Sequence, residues 1–227
     1  MLRDILSGED KAIAAILEVI SAADPDILLL TDFDHDAGLA ALNAFADLLA
    51  KRGTAYPFRF ALPSNAGLPT GFDMDGNGAL GEARDAMGYG DFSGNGGMAL
   101  LSRVPIDTGG VADFTDLLWR DLPGTQLPKL NGRPFPSEDA LAIQRLASAG
   151  FWIVPVLPEG GGPSRYWQAP QQRPPLMGLK IATACVIVTR SASGRSIWTG
   201  CLAPRRRASL LQPSSTPIPR TATGITM

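Results

Sequence analysis

The sequence predicts an α/β fold, on three observations. Ile27, Leu28, Leu29 and Leu30 form an unbroken apolar run after the turn-making Asp24-Pro25, the pattern of a strand buried on both faces. Segments with apolar residues at helical spacing lie on either side of that run. A second strand-like stretch, 56–62, follows, so the order is strand, crossover helix, strand. The apolar run leads directly into three acids and the only histidine of the chain: Asp32, Asp34, His35 and Asp36. In open α/β sheets, chemistry collects where strands end, which makes this edge the best candidate site. A solvated acidic turn after a core strand accounts for the same residues without any function.

Taken in order, residues 7–23 read as an amphipathic helix, with Ser7 as N-cap and Ile13, Ile16, Leu17 and Ile20 on one face. A second helix, about 38–51, places Leu39, Leu42, Phe45, Leu48 and Leu49 on one face. It ends favourably at Lys51-Arg52-Gly53. Residues 56–62 alternate as a strand does. Residues 63–97 are dense in glycine and lack periodicity, so they form a long structured loop, of the kind that usually carries function. Within it, D-M-D-G-N-G at 73–78 fits the opening of a calcium loop, with Asp73, Asp75 and Asn77 at positions one, three and five. Position twelve holds Arg84 in place of the expected glutamate, and Glu82 or Asp85 can substitute only with altered loop geometry. An Asx-rich turn that binds nothing is the alternative. Strands are expected at 98–102 and over Phe114 to Trp119, and a helix or edge segment from Ser137 to Ser148. Residues 151–157 read as a strand interrupted by Pro155, which suits an edge or a bulge.

Composition bounds the function. The 227 residues carry a net charge of −2, which points to neither nucleic acid nor membrane, but that total hides a split. Residues 1–160 hold all 22 acids against 11 Lys and Arg, a net charge of −11, whereas residues 161–227 hold nine Arg and Lys and no acid. So long a segment without Asp or Glu is unusual for a soluble domain, and a boundary is expected near 161. Cys185 and Cys201 show no metal-ligand spacing. No signal peptide and no membrane-spanning run is visible, so the default expectation is a cytoplasmic protein.

Three blocks resemble the endonuclease/exonuclease/phosphatase superfamily, in a glycine-rich bacterial branch. P-D-I-L-L-L-T-D-F-D-H-D at 25–36 is similar to the branch's P-D-x-L-L-L-x-E-F-D-x-D. P-S-N-A-G-L-P-T-G-F-D at 63–73 resembles P-S-N-T-G-x-P-S-G-x-D. G-M-A-L-L-S-R-V-P-I at 97–106, with L-W-R-D-L-P-G at 118–124, resembles G-M-A-x-L-S-R-x-P-I and the later F-L-W-K-D-M-P-G. The resemblance covers about residues 4–157. It implies a two-sheet α/β sandwich and a hydrolase of phosphate esters that uses Mg²⁺ or Mn²⁺. It places Asp32 at the family's metal-binding glutamate, as catalytic carboxylate and metal ligand, with Asp34 as a second ligand. The substrate class is a phosphate ester, nucleic acid among the options. Phe151-Trp152-Ile153 departs from the family's H-W-D-V-P by losing a histidine and an aspartate.

The family's first strand, with its asparagine ligand, and its later histidine, Gly-Asp-x-Asn and Asp-His positions have no match in the chain. The expected sandwich is therefore incomplete, with an irregular C-terminal tail. A one-base frame change accounts for this. Joining the last base of each codon to the first two of the next, Tyr166-Trp167 must give Leu, Trp167-Gln168 must give Ala and Met177-Gly178 must give Gly. The residues around them permit the branch's next blocks, L-L-A-S and F-D-G-P-E-D-R-N-G. Residues 163–227 are accordingly expected to be out of frame and poorly ordered. A basic arm that binds nucleic acid through phosphates is the alternative. A non-catalytic calcium-binding module, using Asp73, Asp75 and Asn77, is the second functional reading of the chain.

Overall fold

The computed structural model describes residues 1–157 and three further strands, at 164–167, 183–189 and 197–202. Helices α1 (Leu2–Ser7) and α2 (Lys11–Ala23) come first, where one helix was expected. Gly8 closes α1 in the left-handed conformation, φ 68°, and the Asp10 side chain caps α2 by accepting from the amides of Ala12 and Ile13. A stop and a start signal within three residues outweigh the continuous apolar spacing. Ser7 therefore ends a helix, its hydroxyl donating to the Asp4 carbonyl, and caps none.

Strand β1 (Ile27–Phe33) is buried on both faces, as its apolar run requires. Leu28 and Leu30 point into a core with Ile5, Leu17, Ile20, Leu42, Phe45 and Leu49 from the helices. Ile27 and Leu29 point into a second core with Trp152, Val154 and Val156. This is the period-2 alternation of a strand sandwiched between two layers. Helix α3 (Ala40–Lys51) follows, then β2 (Phe58–Phe60) and β3 (Gly97–Ser102). β3 lies between β1 and β2 and is antiparallel to both. β1 and β2 are therefore parallel, with α3 as their crossover, as predicted.

The remaining elements are β4 (Ala112–Asp113), the hairpin β5 (Lys129–Leu130) and β6 (Arg133–Pro134), α4 (Glu138–Ile143), β7 (Trp152–Val156), β8 (Ser164–Trp167), β9 (Thr183–Thr189) and β10 (Ile197–Leu202). One sheet has the order β10-β9-β1-β3-β2 and the other β4-β7-β8. Phe60 and Trp152 meet edge to face across them, 5.6 Å between centroids. Helices on one face of the larger sheet and a smaller sheet on the other make the two-sheet α/β sandwich that the resemblance implies. The poorly ordered tail expected over 161–227 lies, apart from β8, β9 and β10, outside the described residues.

Two local expectations fail for identifiable reasons. Residues 114–119 form a turn and no strand. Asp113 accepts from the Thr115 amide (2.9 Å), and the buried Thr115 hydroxyl accepts from the Trp152 indole and the Phe151 amide, both 3.1 Å. Those side-chain bonds replace a ladder. Pro155 sits in a central strand, between β4 and β8, not at an edge. Its carbonyl accepts from the Asp107 amide (3.0 Å) beside the isolated bridge between Ile106 and Val156, so its missing N–H faces the side where β4 pairs only with Trp152 and Ile153.

The start of β1 is clamped. Buried Tyr56 donates its hydroxyl to the Pro25 carbonyl (2.7 Å), and burial raises its pKa. Arg103 lies over the Tyr56 ring at 5.5 Å and pairs with Asp24 and, at 3.6 Å, with Asp26. Its hydrogen bond holds the Asp24 carboxyl below the usual carboxylate range.

Leu101 is fully buried in the helix-side core and Leu80 is exposed. Leu101→Ala should lower stability by about 2–5 kcal/mol through lost transfer energy and a residual cavity. Leu80→Ala should stay within about 0.5 kcal/mol. Urea denaturation of the three proteins checks this, and equal losses would contradict the burial described.

Candidate active site

The four polar residues at the end of β1 do not share one role. Register along β3 runs from Thr31↔Met98 directly to Phe33↔Gly97, so Asp32 is the extra residue of a β-bulge. It has φ 60°, a left-handed conformation that aspartate tolerates far better than most residues. Bulges re-aim side chains where a sheet meets a functional site. Asp32 is partly exposed between the buried Thr31 and Phe33, so a carboxylate emerges where the bulge interrupts the buried ladder.

Asp34 is committed on one oxygen. Its Oδ1 accepts from the Asn95 side-chain amide (3.1 Å) and the Gly96 backbone amide (3.0 Å). Its Oδ2 lies 3.7 Å from the Met1 amine. The His35 amide donates to the Gly94 carbonyl (2.8 Å), a backbone tie. Asp36 receives the amides of Ala40 and Ala41 at the entry to α3 and so serves as a helix cap. Asp32 and Asp34 thus lie at the strand end, while Asp36 caps α3.

The glycine-dense loop 63–97 is packed against this end of the sheet. A Cβ on Gly94 would lie 2.3 Å from the His35 carbonyl oxygen, one on Gly67 1.7 Å from the Phe92 oxygen, and one on Gly88 1.7 Å from the Ser148 oxygen. Only glycine permits such backbone approach. Asn65, fully buried, is the hub. Its side-chain amide donates to the Thr115 and Ala147 carbonyls (2.8 and 2.7 Å), its Oδ1 accepts from Arg145, and Arg145 also meets Asp116 at 2.8 Å. Nothing in the sequence around Asn65 or Asn95 signals these partners, which lie tens of residues away.

The same loop gathers carboxylates. Asp73, Asp75 and Asp85 offer oxygens within 4.8 Å of one another, the group of three potential metal-ligating side chains found among the described residues. They could hold a metal ion. Asp85 is buried and accepts from the amides of Met74 and Glu82, both 3.0 Å. Asp75 lies 3.6 Å from Arg84. Asp73 accepts from the amides of Gly76 (2.6 Å), Asn77 (3.2 Å) and Gly78 (2.7 Å), and these bonds, that from Gly78 foremost, lower its pKa. Of the two substitutes for the missing glutamate, the structure brings in Asp85. Glu82 instead accepts from the Asn77 side-chain amide (2.7 Å), and the Asn77 Oδ1 accepts from the Ala79 amide (2.6 Å).

Both sites have donors suited to hard divalent cations, which take oxygen ligands. At the strand end the carboxylates are those of Asp32 and Asp34, the Oδ2 of Asp34 being ion-paired with the Met1 amine. The loop offers three carboxylates, a larger donor set. Among the described residues no helix is long and apolar enough to cross a membrane.

Across residues 5–188 the chain matches the model of the Endonuclease/Exonuclease/phosphatase family. No curated protein and no solved structure matches it.

Because the folded Asp73 carboxyl has a lowered pKa, its charged, amide-bound form persists at the ordinary aspartate value of 3.8 and is lost only as pH falls further. The Gly78 amide resonance should therefore titrate with a midpoint below 3.8. A midpoint at or above that value would remove the hydrogen-bonded loop.

Proposed function

The chain belongs to the endonuclease/exonuclease/phosphatase family, whose members hydrolyse phosphate esters with divalent metals, and from that premise we propose that Asp32 is its metal-holding, catalytic carboxylate. The observation that carries the reading is the bulge at Asp32, which turns a carboxylate out of a doubly buried strand, at the position that the resemblance assigns to the family's glutamate. Asp34, fixed by Asn95 and Gly96 through Oδ1, would supply its Oδ2 as the second ligand atom in place of its ion pair with the Met1 amine. A divalent cation there, Mg²⁺ or Mn²⁺, supplies charge neutralisation of the phosphate and a better water nucleophile. The chain's own part is to set those carboxylates at the strand end, Asp32 through the bulge and Asp34 through the docked loop.

Turnover by this chain is proposed to be low. Its only histidine, His35, is tied to Gly94 through the backbone, and Phe151 and Ile153 stand where the resemblance calls for a histidine and an aspartate. Asp32 is also one methylene shorter than glutamate. The left-handed backbone at this position explains the choice, since the longer side chain is tolerated there less well. Mg²⁺-dependent hydrolysis of bis(p-nitrophenyl) phosphate tests the assignment. Asp32→Ala should remove whatever turnover the chain has, and Asp32→Glu should raise it, at a stability cost of about 1–2 kcal/mol for the strained backbone. High turnover indifferent to both substitutions would overturn the reading.

A second reading concerns the loop, and convergence of Asp85 on Asp73 and Asp75 favours it. We propose that this loop binds Ca²⁺ through Asp73, Asp75 and Asp85, with Asn77 as the fourth side chain of the loop. Three carboxylates on a tight glycine-containing turn fit the larger, more flexible coordination of calcium better than an octahedral magnesium ion. Calorimetry should show Ca²⁺ binding weakened at least about tenfold by Asp85→Asn and left unchanged by Asp32→Ala. Absence of heat in the unsubstituted protein would dismiss this site.

A further inference from the structure

The turn at Trp119–Asp121, the hairpin β5–β6 and helix α4 line a cavity of about 270 Å³. Neither metal reading uses any of its residues. Main-chain bonds hold its walls in place. The Trp119 amide donates to the Gln144 carbonyl (2.9 Å), which ties the turn to the end of α4. The Phe135 amide donates to the Pro128 carbonyl (3.1 Å), which closes the base of the hairpin. Ser137 caps α4 by accepting from the Ala140 amide (3.0 Å). The chain itself thus shapes the cavity, as small-molecule sites are usually preformed.

The lining has two parts. Leu127, Pro128, Pro134, Leu141 and Ala142 are apolar, and Leu141 is buried. Arg120, Lys129 and Glu138 are charged and exposed. Arg120 meets Asp121 through Nε at 3.7 Å, beyond hydrogen-bond length. Lys129 and Glu138 make no ion pair among the described residues. Solvated charges are ordinary on a surface, and Glu138 also suits the first turn of α4. The local balance of charge is less ordinary. Residues 118–135 carry Arg120, Lys129 and Arg133 against one acid, Asp121, whereas residues 1–160 as a whole hold 22 acids against 11 Lys and Arg. Cations thus gather at this cavity in an otherwise acidic chain, which favours a negative group there. Glu138 on the same lining complements a positive one. The volume lies just below the range of about 300–1,000 Å³ for small-molecule sites, so the occupant is small.

We infer that this cavity binds a small apolar amino acid as its zwitterion. Its carboxylate faces Arg120 and Lys129, its ammonium faces Glu138, and its side chain lies against the apolar lining. The inference stands apart from the metal readings of Asp32 and of the loop. Titration of the full chain with L-leucine at neutral pH, followed through backbone amide NMR shifts, tests it. L-leucine should saturate in the millimolar range, with shifts centred on Arg120, Leu127, Lys129 and 138–142. L-leucinamide lacks the carboxylate, 4-methylpentanoate lacks the ammonium, and glycine lacks the apolar body. Each should bind at least about threefold more weakly, since an exposed ion pair contributes up to about fivefold and a buried methylene about fourfold. Glu138→Gln should weaken L-leucine by about threefold without weakening 4-methylpentanoate. Arg120→Gln with Lys129→Gln should weaken L-leucine without weakening L-leucinamide. Absence of saturable binding, equal affinity for L-leucine and any of the three analogues, or L-leucine binding indifferent to all three substitutions would each overturn the site.

Discussion

Burial of β1 on both faces is the constraint from which the rest of the architecture follows. A strand with apolar residues at every position from 27 to 30 cannot lie on a surface, so it needs a layer on each side. Helices α1 to α3 cover Leu28 and Leu30, and the sheet of β7 covers Ile27 and Leu29. Where the apolar run stops, the chain has to leave the sandwich, and it does so through a bulge at an aspartate in a left-handed conformation. Position and chemistry are thus linked: the bulged residue, set between buried Thr31 and Phe33, is the first of the strand that can meet solvent, an ion or a substrate.

The second organising feature is a loop without regular structure that is nonetheless closely packed. Glycines at 67, 88, 90 and 94 allow backbone to approach backbone, and buried Asn65 supplies the polar groups that such packing would otherwise leave unsatisfied. The loop carries both the Asn95 amide that steadies Asp34 and the converging carboxylates of Asp73, Asp75 and Asp85. Its length is consistent with function rather than with a connection.

Much of this was legible in the sequence where physics is local. The alternation and length of the apolar runs identified β1, α3, β3 and β7, because burial patterns repeat within a few residues. The acids after β1 and the acidic turn at 73–77 were visible for the same reason. Long-range pairing was not. Asn95 meets Asp34 across 61 residues and Asn65 meets Ala147 across 82, with no local pattern to announce either. Asp85 lies one position beyond the spacing of a regular calcium loop, so its part in the cluster depends on a backbone path that spacing does not specify. The break between α1 and α2 was missed because continuous helical spacing hid a cap at Asp10. The turn at 114–119 was missed because side-chain bonds to Thr115 took the place of a ladder.

Membership of a phosphate-ester hydrolase family and a carboxylate set at the end of a doubly buried strand make one account, in which Asp32 holds the divalent cation. The measurement closest to that claim is an anomalous difference map from a crystal soaked in Mn²⁺. The account predicts a peak at ligand distance from Asp32, about 2.0–2.3 Å, separate from any peak among Asp73, Asp75 and Asp85. A map with density in the loop cluster and none at Asp32 would contradict it.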